Sequence, residues 1–133
     1  MAEITEIELG DAWEMLRADP DAVLVDVRTE QEWQYVGAPD LTEIGKSPVF
    51  VSWAPGTRNE SFVDDLRSAG VHDQQPVLLL CRSGVRSRSA ARLLIESGFH
   101  SCLNISAGFE GPLDGAGHRN GGWRSVGMPW RQS

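Results

Sequence analysis

Pro76-Val77-Leu78-Leu79-Leu80-Cys81-Arg82-Ser83-Gly84-Val85-Arg86-Ser87 changes character at its midpoint. Behind the proline, Val77 to Leu80 is a short unbroken apolar run, the pattern of a strand buried on both faces. After Cys81 the chain turns polar and basic, with a glycine at 84. From Ser87 to Ser97 the residues Ala90, Ala91, Leu94 and Ile95 form an apolar stripe at helical spacing, and Gly98 stops it. The segment therefore reads as strand, tight loop, helix. In parallel sheets that junction lies beyond the carboxyl end of a strand, where such folds bind their ligands.

The same alternation continues outward. Glu3 to Ile7 has the period of a short strand, and Asp11 to Ala18 carries Ala12, Met15 and Leu16 as a helical stripe ended by Asp19-Pro20-Asp21. Ala22 to Asp26 reads as a buried strand. Thr29-Glu30-Gln31-Glu32 has the form of a capping box, so a short helix is expected from Thr29 until Gly37-Ala38-Pro39-Asp40 breaks it. Pro48 to Trp53 reads as a strand, Ala54-Pro55-Gly56 as a turn, and Asn59 as the N-cap of a helix through Ser68 that turns Phe62, Val63 and Leu66 inward and stops at Gly70. Ser101 to Ile105 is the last strand. The expected class is α/β: one domain over residues 1–133, with a central, mostly parallel five-stranded sheet and helices on both faces. Residues 106–133 are glycine-rich but hold Trp123 and Trp130, which predicts an ordered C-terminal wrap with one short helix near Trp123.

Apolar residues make up 41% of the 133-residue chain and charged residues 23%, enough for one core and too apolar for disorder. The net charge of −7 argues against broad binding to nucleic acid or to an anionic membrane. Yet Arg82, Arg86, Arg88 and Arg92 fall close together, with no acidic residue between Asp73 and Glu96. A basic pocket on an acidic protein suggests a small anionic ligand; a solvated basic helix face is the plainer alternative. Two cysteines, an acidic N-terminus without an apolar stretch, and no long apolar run point to a reducing, cytoplasmic setting.

Cys81 carries the chemistry. A thiol attacks only as the thiolate, and free cysteine has a pKa of about 8.5. Three features favour the thiolate at this position: loop N–H groups that can converge on the sulfur, the positive end of the following helix, and the charges of Arg82 and Arg86. Ser83 can add a hydroxyl, and Gly84 permits the positive φ that a loop curling round one atom needs. The same cradle suits an anion attached to the sulfur. The plainer reading, a core cysteine behind an apolar strand, sits poorly with the Arg-Ser-Gly-Val-Arg-Ser-Arg that follows.

Cys81-Arg82-Ser83-Gly84-Val85-Arg86-Ser87 resembles the active-site loop of rhodanese-like sulfurtransferases. Asp26-Val27-Arg28-Thr29-Glu30-Gln31-Glu32-Trp33 is similar to that family's Asp-Val-Arg-x-x-x-Glu-(aromatic) segment. Ala107-Gly108-Phe109-Glu110-Gly111 resembles its Gly-Gly-(aromatic) stretch, and Gly121-Gly122-Trp123 with Gly127-Met128-Pro129-Trp130 the ending of small single-domain members. The resemblance implies a sulfurtransferase in which Cys81 takes a sulfane sulfur from a donor such as thiosulfate and passes it, through a persulfide, to a thiol or cyanide. It implies a small anionic sulfur donor and a thiol acceptor, or a sulfur-accepting protein, as partners, and no metal or organic cofactor. Residues 82–86 would bind the donor: Arg82, Ser83, Gly84, Val85 and Arg86 through backbone N–H groups, Arg86 also closing the loop over the donor's anionic end, and Arg82 facing outward.

Two other activities remain alternatives. A related phosphatase and arsenate reductase group spaces its arginine six residues after the cysteine; here Arg86 is five residues on and Ser87 follows, a ring that suits one sulfur better than a phosphate. A non-catalytic rhodanese-like module that binds a partner protein need not keep Cys81, Gly84 and both arginines. One departure from the family pattern stands out: Val36-Gly37-Ala38-Pro39 lacks the His expected after the first motif, which predicts an altered path from Gly37 to Lys46.

Asp26, Arg28 and Glu32 are expected as structural support, with Arg28 paired to Glu32 and Asp26 accepting backbone hydrogen bonds that fix the loop. His72, His100 and His118 do not show zinc-ligand spacing with the cysteines. A base role for His118 and a resolving role for Cys102 are the sharper alternatives to a loop position and a small core residue. Trp53, Trp123 and Trp130 are expected to wall the pocket, and Trp13 and Trp33 to pack.

Overall fold

The computed structural model describes residues 4–53 and 61–132. Five strands form one sheet: β1 (Thr5–Ile7), β2 (Val23–Asp26), β4 (Val49–Phe50), β5 (Val77–Leu80) and β6 (Cys102–Ile105). Their order is β1-β6-β5-β2-β4, with every neighbouring pair parallel. The apolar run beginning at Val77 is thus the central strand, and all four of its residues are fully buried. A four-residue strand of this kind holds only because each side chain is covered, each contributing about 1.5–3 kcal/mol.

Alternate residues of the strands serve two cores. Val25, Val77, Leu79 and Cys81 pack with Phe62 and Leu66 of α3 (Phe62–Ser68) and with Ala90, Ala91 and Leu94 of α4 (Val85–Glu96). Leu24, Leu78, Leu80 and Ile105 pack on the other side with Ala12 and Leu16 of α1 (Leu9–Ala18), joined by Phe109 and Trp123. The expected parallel α/β sheet with helices on both faces is therefore present. The remaining α-helix, α2 (Glu30–Tyr35), buries none of its residues fully and is fixed instead by its start. The Thr29 hydroxyl accepts the Glu32 N–H at 3.3 Å while the Glu32 carboxylate accepts the Thr29 N–H at 3.1 Å, the capping box read from the sequence.

Some boundaries differ. Helix α4 begins at Val85, two residues before the expected Ser87, because Gly84 turns the chain into it with φ of 95°. Leu93, not Ile95, completes its buried stripe. The edge strand pairs only at Val49 and Phe50, although the N–H groups of Val51 and Trp53 still donate to the carbonyls of Asp26 and Val27. Asn59 as N-cap, the turn Ala54-Pro55-Gly56 and the first strand residue, Glu3, lie outside the described residues.

The C-terminal wrap contains no helix near Trp123: the segment is a series of turns pinned by the Trp123 N–H on the Gly108 carbonyl and the indole N–H on the Pro129 carbonyl. Glycine density leaves that stretch without the side chains a helix face needs. It ends in β7 (Trp130–Arg131), antiparallel to β3 (Ala38–Pro39). The segment that departs from the family pattern is therefore held by the end of the chain. A one-turn 3-10 helix, Thr42–Ile44, follows, and the Lys46 ammonium donates to the carbonyls of Asp19 and Ala22, both at 2.6 Å. Among the described residues no helix is long and apolar enough to cross a membrane.

Candidate functional site around Cys81

Cys81 leaves the carboxyl end of β5, is 1% exposed, and lies at the floor of a cavity of about 380 Å³. Among the described residues two groups reach its sulfur. The Gly84 N–H donates to Sγ at 3.1 Å, and the Ser87 Oγ lies 3.2 Å from it. Gly84 is the N-cap of α4, so the N–H groups of the helix's first turn also open toward this end. The arrangement can hold a negative charge on the sulfur or on an atom attached to it.

The loop is held from below by the wrap. The Cys81 carbonyl accepts the Phe109 N–H, and the Arg82 carbonyl accepts the N–H groups of Glu110 and Gly111. Such contact demands glycine at 108: a Cβ there would stand 2.4 Å from the Arg82 oxygen. Arg82, Ser83, Val85 and Arg86 line the cavity with Thr29 and Glu32 of the α2 cap, so these sequence-selected residues come together. Arg82 is exposed, as expected. Of the expected backbone donors, Gly84 is the one that bonds Sγ.

The acidic partners differ from those expected. Glu32 does not pair with Arg28. Its carboxylate grips Arg86 in a two-point fork, with Oε1 to Nη1 2.7 Å and Oε2 to Nη2 2.8 Å, and both side chains are largely covered. A helix-capping carboxylate thus also orients the arginine of the loop. Arg28 turns the other way: fully buried, it binds Asp26 through Nε and Nη2, donates to the Gly37 carbonyl at 2.8 Å, and lays its guanidinium on the Phe109 ring at 4.2 Å. One Arg28 nitrogen, Nη1, has no hydrogen-bond partner among the described residues, and the aromatic face is its compensation. Asp26 spends its backbone acceptance on Arg28 itself, at 3.1 Å, so it braces the end of β2 and not the cysteine loop. Arg88 is neutralised by Glu6 at 3.0 Å. Two of the four arginines in the basic cluster, Arg86 and Arg88, are therefore paired: the fold brings Glu32 and Glu6 from elsewhere in the chain.

Two residues of the site carry no functional signal in the sequence motifs: Ser87, at the expected start of α4, and Asn104, within the last strand. Asn104 is fully buried in β6, facing Ser87. The signal available was a lone carboxamide in an otherwise apolar strand. Three tryptophans do not wall the cavity: Trp53 and Trp123 are core residues, packed edge-on to Phe62 and Trp13, and Trp130 lies edge-on to Phe109. Cys102 is buried among apolar side chains, which push its thiol up to about 12; it is a core residue and a poor resolving thiol. His118 lies in the wrap, where its backbone pairs with Asp114.

The fork has a pH signature. Burial alone would raise the Glu32 carboxyl, but the bonds from Arg86 and Thr29 and the Arg86 charge outweigh it and bring it from 4.5 down to about 2. A lowered folded-state value contributes stability that is present above pH 4.5 and lost as pH falls toward 2. Glu32→Gln keeps a capping-box side chain without the charge. In urea unfolding it should lose less stability between those pH values than the wild type does. Parallel acid losses in the two proteins would refute the coupling.

The family described as the STR4 middle domain matches residues 6–133. An uncharacterized protein of Rickettsia conorii, RC0915, is 40% identical over 122 residues, covering 90% of this chain and 91% of the relative. The thiosulfate sulfurtransferase GlpE of Actinobacillus pleuropneumoniae is 28% identical, over 94% and 91% of the two chains. Among solved structures, Rv0390 of M. tuberculosis superposes with a TM-score of 0.89 at 48% identity, covering 99% of this chain and 100% of that one. A rhodanese-like domain protein of Staphylococcus aureus shares the fold at a TM-score of 0.64 and 18% identity, with coverage of 98% and 99%.

Proposed function

The chain belongs to the rhodanese-like family, and on that footing we propose that it is a sulfurtransferase whose nucleophile is Cys81. The observation that carries this reading is the Gly84 N–H on Sγ at 3.1 Å, at the mouth of α4, in a cavity rimmed by Arg82 and Arg86. A thiosulfate-type donor is the substrate of the GlpE relative by its name, and its chemistry fits the rim.

In the first half-reaction the Cys81 thiolate attacks the sulfane sulfur. The new Sγ–S bond forms as the donor's S–S bond breaks, and sulfite leaves with the electron pair. Charge is conserved: the thiolate and dianionic donor become a persulfide anion and sulfite dianion. Arg82 and the guanidinium donors of Arg86 not used by Glu32 receive the sulfonate end. The α4 terminus and the Gly84 N–H then face the persulfide. In the second half-reaction an acceptor thiolate or cyanide attacks the outer sulfur, and Cys81 leaves as thiolate. Every step is a two-electron displacement at sulfur and uses only donor and acceptor.

Intact mass after incubation with excess thiosulfate and desalting tests the reading. The expected result is a gain of one sulfur atom, absent in Cys81→Ser and discharged by cyanide. No gain with thiosulfate or with polysulfide would overturn it.

A further inference from the structure

The Cys81 sulfur is connected to the β1 edge of the sheet by a polar chain, buried as far as Asn104, that the reaction above leaves unused. Asn104 is fully buried. Its Nδ2 donates to Glu6 Oε1 at 2.9 Å and to the Gly84 carbonyl at 3.1 Å. Neither of those oxygens can donate, so the amide orientation is fixed with Oδ1 toward Ser87. Ser87 is also fully buried, and its Oγ makes a short hydrogen bond to that Oδ1 while lying 3.2 Å from Cys81 Sγ. A hydroxyl has one hydrogen. It can serve the carboxamide or the sulfur, and not both.

We propose that Asn104 is a positioning residue for Cys81: by accepting the Ser87 hydroxyl hydrogen it sets when that hydrogen is available to the sulfur. With a neutral thiol, Ser87 donates to Asn104 and turns a lone pair to the S–H. When the thiol proton leaves to solvent, the anionic sulfur is the stronger acceptor and the O–H rotates to it, with no bond to oxygen broken. Asn104 Oδ1 is then left buried without its donor, which opposes the change. Once Sγ has become the inner, uncharged sulfur of a persulfide, the hydrogen returns to Asn104. The carboxamide thus moderates the thiolate, and a less stabilised thiolate is the stronger nucleophile.

The charged groups around the sulfur come from several elements. Arg86 and Arg88 on α4 both stand within electrostatic reach of Cys81. Arg82 stands on the loop. Glu32 of the α2 cap and Asp26 at the end of β2 act on Arg86, and Glu6 of β1 binds both Arg88 and Asn104. Among the described residues none of them is within hydrogen-bond distance of Sγ, as the Ser87 hydroxyl is. The inference rests on Cys81 as nucleophile, but its readout is ionisation and not sulfur transfer. Failure of wild-type persulfide loading would sink the sulfurtransferase reading and leave this one standing.

The test is the rate of Cys81 alkylation by iodoacetamide across pH, followed by intact mass, in Asn104→Leu, Ser87→Ala and the double variant. Asn104→Leu should move the midpoint of the profile down by about one pH unit, the scale of one hydrogen bond. Ser87→Ala should move it up, and Asn104→Leu should then have no further effect. An unmoved midpoint in Asn104→Leu, or an equal shift in both backgrounds, would overturn the proposal. If Asn104→Leu does not fold, Asn104→Asp is read instead: it holds the Ser87 hydrogen more tightly and should move the midpoint up, and a fall or no change counts against the role.

Discussion

Arg28→Met should lose about 3–5 kcal/mol of stability, the cost of leaving a buried partner charge unmatched. Both side chains of the Arg28–Asp26 pair are fully buried. Asp26 would keep only the backbone N–H of residue 28 as a donor, since its other bonds come from the guanidinium. The Gly37 carbonyl would lose its 2.8 Å donor as well, and Phe109 its stacked cation. Those three partners lie in the first family segment, in the departing stretch after α2, and in the wrap beneath the cysteine loop. One arginine therefore holds three separated parts of the chain in register. The control is Asp26→Asn/Arg28→Met. The asparagine oxygen can still accept the backbone N–H but carries no charge, so the double variant should recover a large part of the loss. Urea unfolding at neutral pH reads both. A single-variant loss under about 1 kcal/mol, or a double variant no better than the single, would show that the pair is not what holds these segments.

The pattern of that network explains what was legible in the chain and what was not. Periodicity and turn chemistry found the five strands, the capping box at Thr29 and the strand–loop–helix junction at Cys81, because these are local and each is written in a few consecutive residues. Partner choice is not local. Arg28 and Glu32 have the spacing of a helical ion pair, yet Arg28 lies before the helix cap and points into the core, while Glu32 points across to Arg86, 54 positions away. Whether an arginine is buried decides its partner, and burial of a single side chain has no sequence period. The acidic partner of Arg88 was illegible for the same reason: Glu6 meets it across 82 positions. Two tryptophans predict order around Trp123, but that order takes the form of turns and not of a helix, because it comes from backbone bonds to Gly108 and Phe109 that only the closed fold supplies. Asn104 was hidden in plain view, as its meaning lies in Ser87 and Gly84, on the neighbouring helix turn.

Gly84→Ala should slow sulfur loading of Cys81 at neutral pH by at least about 100-fold, because displacing this loop removes the N–H that favours the reactive thiolate and disturbs the cradle that receives the outer, anionic sulfur of the persulfide. The residue has φ of 95°, and a Cβ would stand 2.5 Å from the Ser106 carbonyl oxygen. Neither side can yield easily. The Gly84 carbonyl is held by Asn104 and by the Arg88 N–H, and the strand leading to Ser106 is pinned in the sheet. The loop must therefore move, and the N–H that reaches Sγ moves with it. Strain and overlap together should also cost about 2–4 kcal/mol of stability. Gly98→Ala is the matched control: its φ is 99° but nothing lies within 4 Å of the added carbon, so it carries the backbone penalty without the collision. Gly98→Ala should lose about 1 kcal/mol and load sulfur at the wild-type rate. Loading rates from intact mass and urea midpoints distinguish the two variants. If Gly84→Ala were no less stable than Gly98→Ala and loaded within tenfold of wild type, the Gly84 N–H would not be the group that steadies the sulfur, and the anion-holding role would pass to the remaining first-turn donors of α4.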